Sequence, residues 1–127
     1  MKTIISTQKA PSAIGPYNQA TAFDKLIFTS GQIALDPTTM EIESGGVQEQ
    51  TKQVMENLKA VLEEAGSSFE NVLKTTCYLS DMDNFVAFNE VYAQYFKGET
   101  APARSTVAVK TLPKNVLVEV DTIAFKN

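Results

Sequence analysis

Val116-Leu117-Val118-Glu119-Val120-Asp121-Thr122-Ile123-Ala124-Phe125, near the end of the chain, is the stretch whose reading decides the fold. Successive side chains of a β-strand point to opposite faces of the sheet. Val116, Val118, Val120, Thr122 and Ala124 therefore point one way, and Leu117, Glu119, Asp121, Ile123 and Phe125 the other. The first set is almost wholly apolar and the second half apolar. A strand of this kind calls for cover on both sides of its sheet.

The rest of the chain shows what supplies that cover. Lys2–Ser6 reads as a short strand, and Pro11, Gly15 and Pro16 enforce a loop ending at Tyr17. Ala20–Phe23 and Leu26–Thr29 are strands joined through Asp24-Lys25. From Val47 the apolar period becomes helical: Val47, Val54, Met55, Leu58, Val61, Leu62 and Ala65 form one stripe, and Gly66 is placed to end the helix in a left-handed conformation. Val72–Leu79 is a strand. Asp81 or Asp83 caps a second helix with the face Phe85, Phe88, Tyr92, Tyr95 and Phe96, ended by Gly98. Ser105–Val109 is a further strand before a Lys110–Asn115 turn containing Pro113. The order β-β-β-α-β-α-β-β predicts an α+β fold, a mixed sheet with both helices on one face, in a single domain over residues 1–127. A partner subunit is expected on the other face.

Composition narrows the chemistry. The chain has 127 residues, 43% hydrophobic and 20% charged, with a net charge of −4, no His, no Trp and one Cys, Cys77. Without His there is no Ser-His-Asp triad, Cys-His dyad or His-based metal site. One Cys removes internal disulfides and thiolate metal clusters. An acidic balance argues against a broad nucleic-acid surface. No stretch matches a membrane span or a signal peptide, and with an unpaired Cys this favours the cytoplasm. Neither a phosphate-binding loop nor a dinucleotide fingerprint is present, and no metal or other cofactor is expected.

Arg104 is the only arginine. Its planar fork can grip a carboxylate through two parallel charged hydrogen bonds, or it can form a plain structural ion pair. Glu119 interrupts an apolar strand with Asp121 two residues on, on the same face. Burial and a like charge raise a carboxyl pKa, and a nearby Arg opposes both; the alternative is a solvated pair. Tyr17 can wall a pocket or cover the core edge. Ser30-Gly31 can admit a ligand to the backbone or form a simple turn. Asn89 can point an amide into a site or lie on the surface. Cys77 reads as a buried, inert thiol.

Ala13-Ile14-Gly15-Pro16-Tyr17, Phe28-Thr29-Ser30-Gly31-Gln32, Pro102-Ala103-Arg104-Ser105 and Leu117-Val118-Glu119-Val120 together resemble the RidA/YjgF/YER057c/UK114 family of reactive-intermediate (enamine/imine) deaminases. The resemblance covers nearly the whole chain, in order. It implies a chorismate-mutase-like fold and a homotrimer whose three sheets form a central barrel, with sites in clefts between subunits. It implies hydrolysis of 2-aminoacrylate and 2-iminobutanoate, released by pyridoxal-phosphate-dependent dehydratases, to 2-oxo acids and ammonia. Arg104 would then bind the substrate carboxylate and Glu119 would position or activate water. Tyr17 would wall the pocket, Ser30, Gly31 and Asn89 would line the cleft, and Ser105 and the Thr106 backbone would complete the carboxylate site. Thr106 stands where many members carry Cys, and Met40 where a turn Gly is frequent. The competing readings are a non-catalytic regulatory protein that binds small carboxylates, and a ribonuclease or translation inhibitor.

Overall fold

A computed structural model describes residues 1–127, and it places the closing strand, Val118–Phe125, inside a six-stranded sheet. The elements are β1 (Thr3–Ile5), β2 (Ala20–Phe23), β3 (Leu26–Thr29), α1 (Val47–Glu64), β4 (Val72–Leu79), α2 (Phe85–Tyr95), β5 (Ala103–Ala108) and β6 (Val118–Phe125). Their order in the sheet is β1-β2-β3-β6-β4-β5. β4 and β5 run parallel and every other pair antiparallel, so the sheet is mixed. No helix is long and apolar enough to cross a membrane.

The alternation of β6 is realised residue by residue. Val118, Val120, Thr122 and Ala124 are buried, whereas Glu119, Asp121 and Ile123 are half-buried and Phe125 is exposed. The buried set joins Val54, Leu58, Val61 and Leu62 of α1 and Phe88 of α2 in one core. Both helices pack on that face. α1 stops through a paired cap: Gly66 (φ +81°) donates to Glu63 O at 3.0 Å and Ser67 to Leu62 O at 2.9 Å. Those bonds satisfy carbonyls that the helix end would otherwise orphan.

The other face is uncovered in the single chain and has two unlike ends. Strand register sets Ile4, Thr21, Phe28 and Ile123 in one row across the sheet, and Phe23, Leu26 and Phe125 in the next. Ile4, Phe23, Leu26, Phe28 and Phe125 are exposed. Toward β5 the rows turn polar, as Asp121-Thr76-Ser105 and Glu119-Tyr78-Val107.

Some boundaries differ from the sequence expectation. β5 begins at Ala103 and ends at Ala108, because it pairs with β4 along its full length and draws Arg104 into the strand. β6 begins at Val118, after the short Pro113–Asn115 helical turn in which Lys114 and Asn115 are left-handed. Asp81 accepts from the Asp83 N–H at 2.8 Å and caps a helical turn preceding α2. α2 stops at Tyr95, before Gly98, because Phe96 turns extended and buries its ring.

Candidate functional site

The predicted site residues fall into two groups, and strand alternation explains the division. Thr122, Thr75 and Arg104 are register partners across β6, β4 and β5, so Arg104 points to the helix-covered face. Glu119, Tyr78 and Val107 are register partners in a row of opposite parity, so Glu119 points to the uncovered face. Within one chain the cation and the acid lie on opposite sides of the sheet.

Glu119 opens into a cavity of about 780 Å³ whose lining includes Tyr17, Ser30, Gly31, Met40 and Lys114. Gly31 is a requirement of space. A Cβ there would collide with Glu119 Oε2 and lie 2.8 Å from Glu119 Cδ. The Gly31 backbone is held by reciprocal bonds between Gln32 and Val120, at 2.9 and 3.2 Å. Ser30 donates its hydroxyl to Asn18 O at 2.6 Å and its N–H to Gln19 O at 2.9 Å. Tyr17 follows Gly15 (φ +128°) and donates its N–H to Gly15 O at 2.9 Å, leaving the ring half in solvent at the cavity wall. Burial pushes the Glu119 carboxyl above its ordinary pKa, and the Asp121 charge pushes it further. Asp121 is itself raised by burial, opposed by a 3.4 Å hydrogen bond from Tyr78 Oη.

Arg104 occupies a different setting. Its Nη1 donates to Asn89 Oδ1 of α2 at 2.6 Å, and its Cζ stands 4.6 Å from the Tyr92 ring centroid and 5.4 Å from that of Phe85. Tyr92 is fixed in turn by a 2.8 Å hydrogen bond with Thr75 Oγ1, across the strand pair from Arg104. The guanidinium therefore rests on aromatic faces and a neutral amide oxygen. Within the single chain the hydrogen-bond partner of Arg104 is thus an amide rather than a carboxylate. Thr106 shares this face, and its Oγ1 is buried without a hydrogen-bond partner. An orphaned hydroxyl of this kind costs about 1–3 kcal/mol. Ser105 points to the opposite, uncovered face and is exposed, so alternation separates it from Arg104. Cys77, beside Thr106 in register, is fully buried and its thiol is pushed up to about 11 by that burial.

Two contributors went unread in the sequence. Gln19 is buried, and its side-chain amide accepts from Thr7 N at 2.7 Å and donates to Pro11 O at 2.7 Å, tying the loop before Tyr17 to β2. A glutamine in an unpatterned loop carries no signal of that role. Lys114 brings a cation to the cavity lining from a left-handed turn. No three His, Cys, Asp or Glu side chains gather into a metal-holding group.

Comparison with known proteins adds context. Residues 7–126 match the family model described as Endoribonuclease L-PSP. A RutC family protein of Pyrococcus abyssi is 54% identical, over 98% of each chain. The human 2-iminobutanoate/2-iminopropanoate deaminase is 45% identical over 99% of this chain and 91% of its own. The crystal structure of the Escherichia coli YjgF gene product superposes with a TM-score of 0.92 at 39% identity, covering 98% of this chain and 99% of that one.

Proposed function

The chain belongs to the Endoribonuclease L-PSP family, the RidA/YjgF proteins, and from that premise we propose that it hydrolyses 2-imino acids of the 2-iminopropanoate and 2-iminobutanoate type to 2-oxo acids and ammonia. The observation that carries this reading is the division of the site. A poised carboxyl and a guanidinium lie on opposite faces of one sheet, each without the other. A small imine with a carboxylate needs both at once. A second copy docked on the uncovered face would bring its Arg104 shelf to the Glu119 cavity. Three copies arranged head to tail would close a ring with three such sites and their sheets toward a central barrel. The exposed row of Phe23, Leu26 and Phe125 and the exposed Ile4 and Phe28 support burial of this face.

The chemistry asks little of the protein. A protonated imine is already electrophilic, so water adds at C2, nitrogen leaves as ammonia, and the carbonyl remains. Arg104 of one copy holds the carboxylate through its guanidinium N–H groups, with Asn89, Tyr92 and Phe85 fixing the plane of the fork. Thr106 adds an unpaired hydroxyl beside it. Glu119 of the other copy takes one proton from the attacking water, returns it to the departing nitrogen, and, ionised again, takes the remaining hydroxyl proton as the C–N bond breaks and the carbonyl forms. A raised pKa makes the carboxyl a stronger proton acceptor, and such acid–base help contributes about 10²–10⁴-fold. Tyr17 and Ser30 line the wall, and Gly31 lets Glu119 reach in. The substrates would come from pyridoxal-phosphate-dependent dehydratases acting on Ser and Thr.

The test generates 2-iminobutanoate with a threonine dehydratase and follows 2-oxobutanoate release with and without this protein. Acceleration lost in Arg104→Ala is expected. Binding of 2-oxobutanoate without acceleration would favour the regulatory reading. Cleavage of RNA that survives Arg104→Ala would favour the ribonuclease that the family's description names.

A further inference from the structure

The chain from Thr7 to Asn18 belongs to no helix or strand, yet it supplies Pro11, Ser12, Ile14 and Tyr17 to the wall of the Glu119 cavity. Its main chain makes a single bond to itself, from Tyr17 N to Gly15 O. A segment so poor in backbone bonds depends on side chains for its shape. Most of the holding falls to one of them. Gln19, only 3% exposed, accepts from Thr7 N at 2.7 Å through Oε1 and donates through Nε2 to Pro11 O at 2.7 Å, Thr7 O at 3.1 Å and Ala10 O at 3.2 Å. A side-chain amide joins an acceptor and two donors in one plane, which suits it to clamp N–H and C=O groups of one loop together. The main-chain carbonyl of Gln19 accepts from Ser30 N at 2.9 Å, next to the Gly31 that Glu119 packs against. Gln19 thus joins the loop wall of the cavity to the strand end beneath the carboxylate.

We propose that Gln19 is a positioning residue for the ligand site: its amide clamps the Thr7–Pro11 backbone and so sets the cavity wall against which a small 2-imino or 2-oxo acid is held, without taking part in the chemistry. This rests on the reading of the cavity as the site of such an acid. Glu119 stands on β6 and Arg104 on β5, each carried by the sheet. Loss of the clamp therefore leaves the reacting groups in place and loosens the wall alone. Ligand hold suffers and the chemical step does not.

The experiment compares wild type with Gln19→Leu and Gln19→Glu. Leucine keeps much of the bulk and removes every bond of the amide. A protonated carboxyl keeps one donor and one acceptor, whereas a carboxylate faces the three carbonyl oxygens with no proton to give. Burial and those oxygens raise the pKa of a carboxyl at this place. Glu119 and Lys114 line the same cavity and Lys9 lies in the clamped loop, so each value is taken as a ratio to wild type at the same pH. Calorimetry measures the Kd of 2-oxobutanoate, and assays of the imine measure kcat and KM. Gln19→Leu is expected to raise Kd and KM about 10-fold and to leave kcat within about 3-fold. Gln19→Glu is expected to bind as weakly at about pH 8 and to recover toward wild type by about pH 5.5, as the carboxyl regains its proton. If the leucine variant does not fold, that recovery alone decides. The expected Kd changes without turnover in wild type would overturn the deaminase reading and leave this inference standing. A lowered Tm with Kd and KM unchanged, a loss confined to kcat, a Gln19→Glu ratio that does not move with pH, or no binding of the acid to wild type would overturn the inference.

Discussion

The two half-sites are built by opposite means. The Arg104 shelf stands on regular elements: β5 supplies the guanidinium, α2 supplies Asn89, Tyr92 and Phe85, and β4 supplies the hydroxyl of Thr75 that fixes Tyr92. The Glu119 cavity has one strand residue and is otherwise drawn from loops, with Tyr17, Ser30, Gly31 and the left-handed Met40 and Lys114 around it. A carboxylate clamp has to hold one geometry, and rigid elements hold it best. A wall that sets size can be remodelled by loop residues without disturbing the core. On the proposed reading, the comparison teaches that anion capture is the fixed part of this molecule and substrate shape the adjustable part.

Breaking the rigid half should cost most. Arg104→Ala removes a two-bond carboxylate clamp, and with charge-assisted bonds contributing about 1.5–3 kcal/mol each, kcat/KM for 2-iminobutanoate should fall about 10²–10⁴-fold. Arg104→Lys should recover little of it, because an ammonium offers no parallel fork. On the loop-built side, Gly31→Ala forces the Glu119 carboxylate to shift from its position in the cavity. Turnover should drop about 100-fold, matching Glu119→Gln within a few-fold, with circular dichroism unchanged. A smaller effect separates charge from position. Asp121 raises the Glu119 pKa, so Asp121→Asn lowers it and keeps the base ionised to lower pH. The acid limb of the kcat/KM–pH profile should move to lower pH while the plateau stays; a limb that stays in place would remove Glu119 as the titrating base. The smallest effect is on stability. Met40→Gly relieves about 1 kcal/mol of left-handed strain and should raise Tm by about 3–5 °C in thermal unfolding.

Legibility in the sequence followed the same divide. The alternation in β6, the stripe of α1 and the cap at Gly66 were readable because each is a local pattern with a local cause. Arg104 stood out by being alone, and Glu119 by its apolar neighbours. Neither signal contains the register that sends them to opposite faces, because that depends on β4 lying between β5 and β6. The sequence reading grouped Ser105 with Arg104, whereas strand alternation turns adjacent residues apart. The sequence favours a surface amide for Asn89, whereas its Oδ1 accepts from Arg104 because α2 lies across β5. Gln19 was unreadable for another reason: a loop glutamine has no pattern. Its role comes from the carbonyls of the 7–11 loop.

Subunit complementation tests the central claim most directly. Arg104→Ala and Glu119→Gln proteins, each close to inactive, are mixed in equal amounts under conditions in which native mass spectrometry shows subunit exchange. If every site takes its arginine from one copy and its acid from the next, one site in each mixed ring of three regains both groups, about a quarter of all sites once unmixed rings are counted. Imine hydrolysis should return to about a quarter of the wild-type rate per site. A mixture that exchanges subunits and stays as inactive as its components would contradict the account.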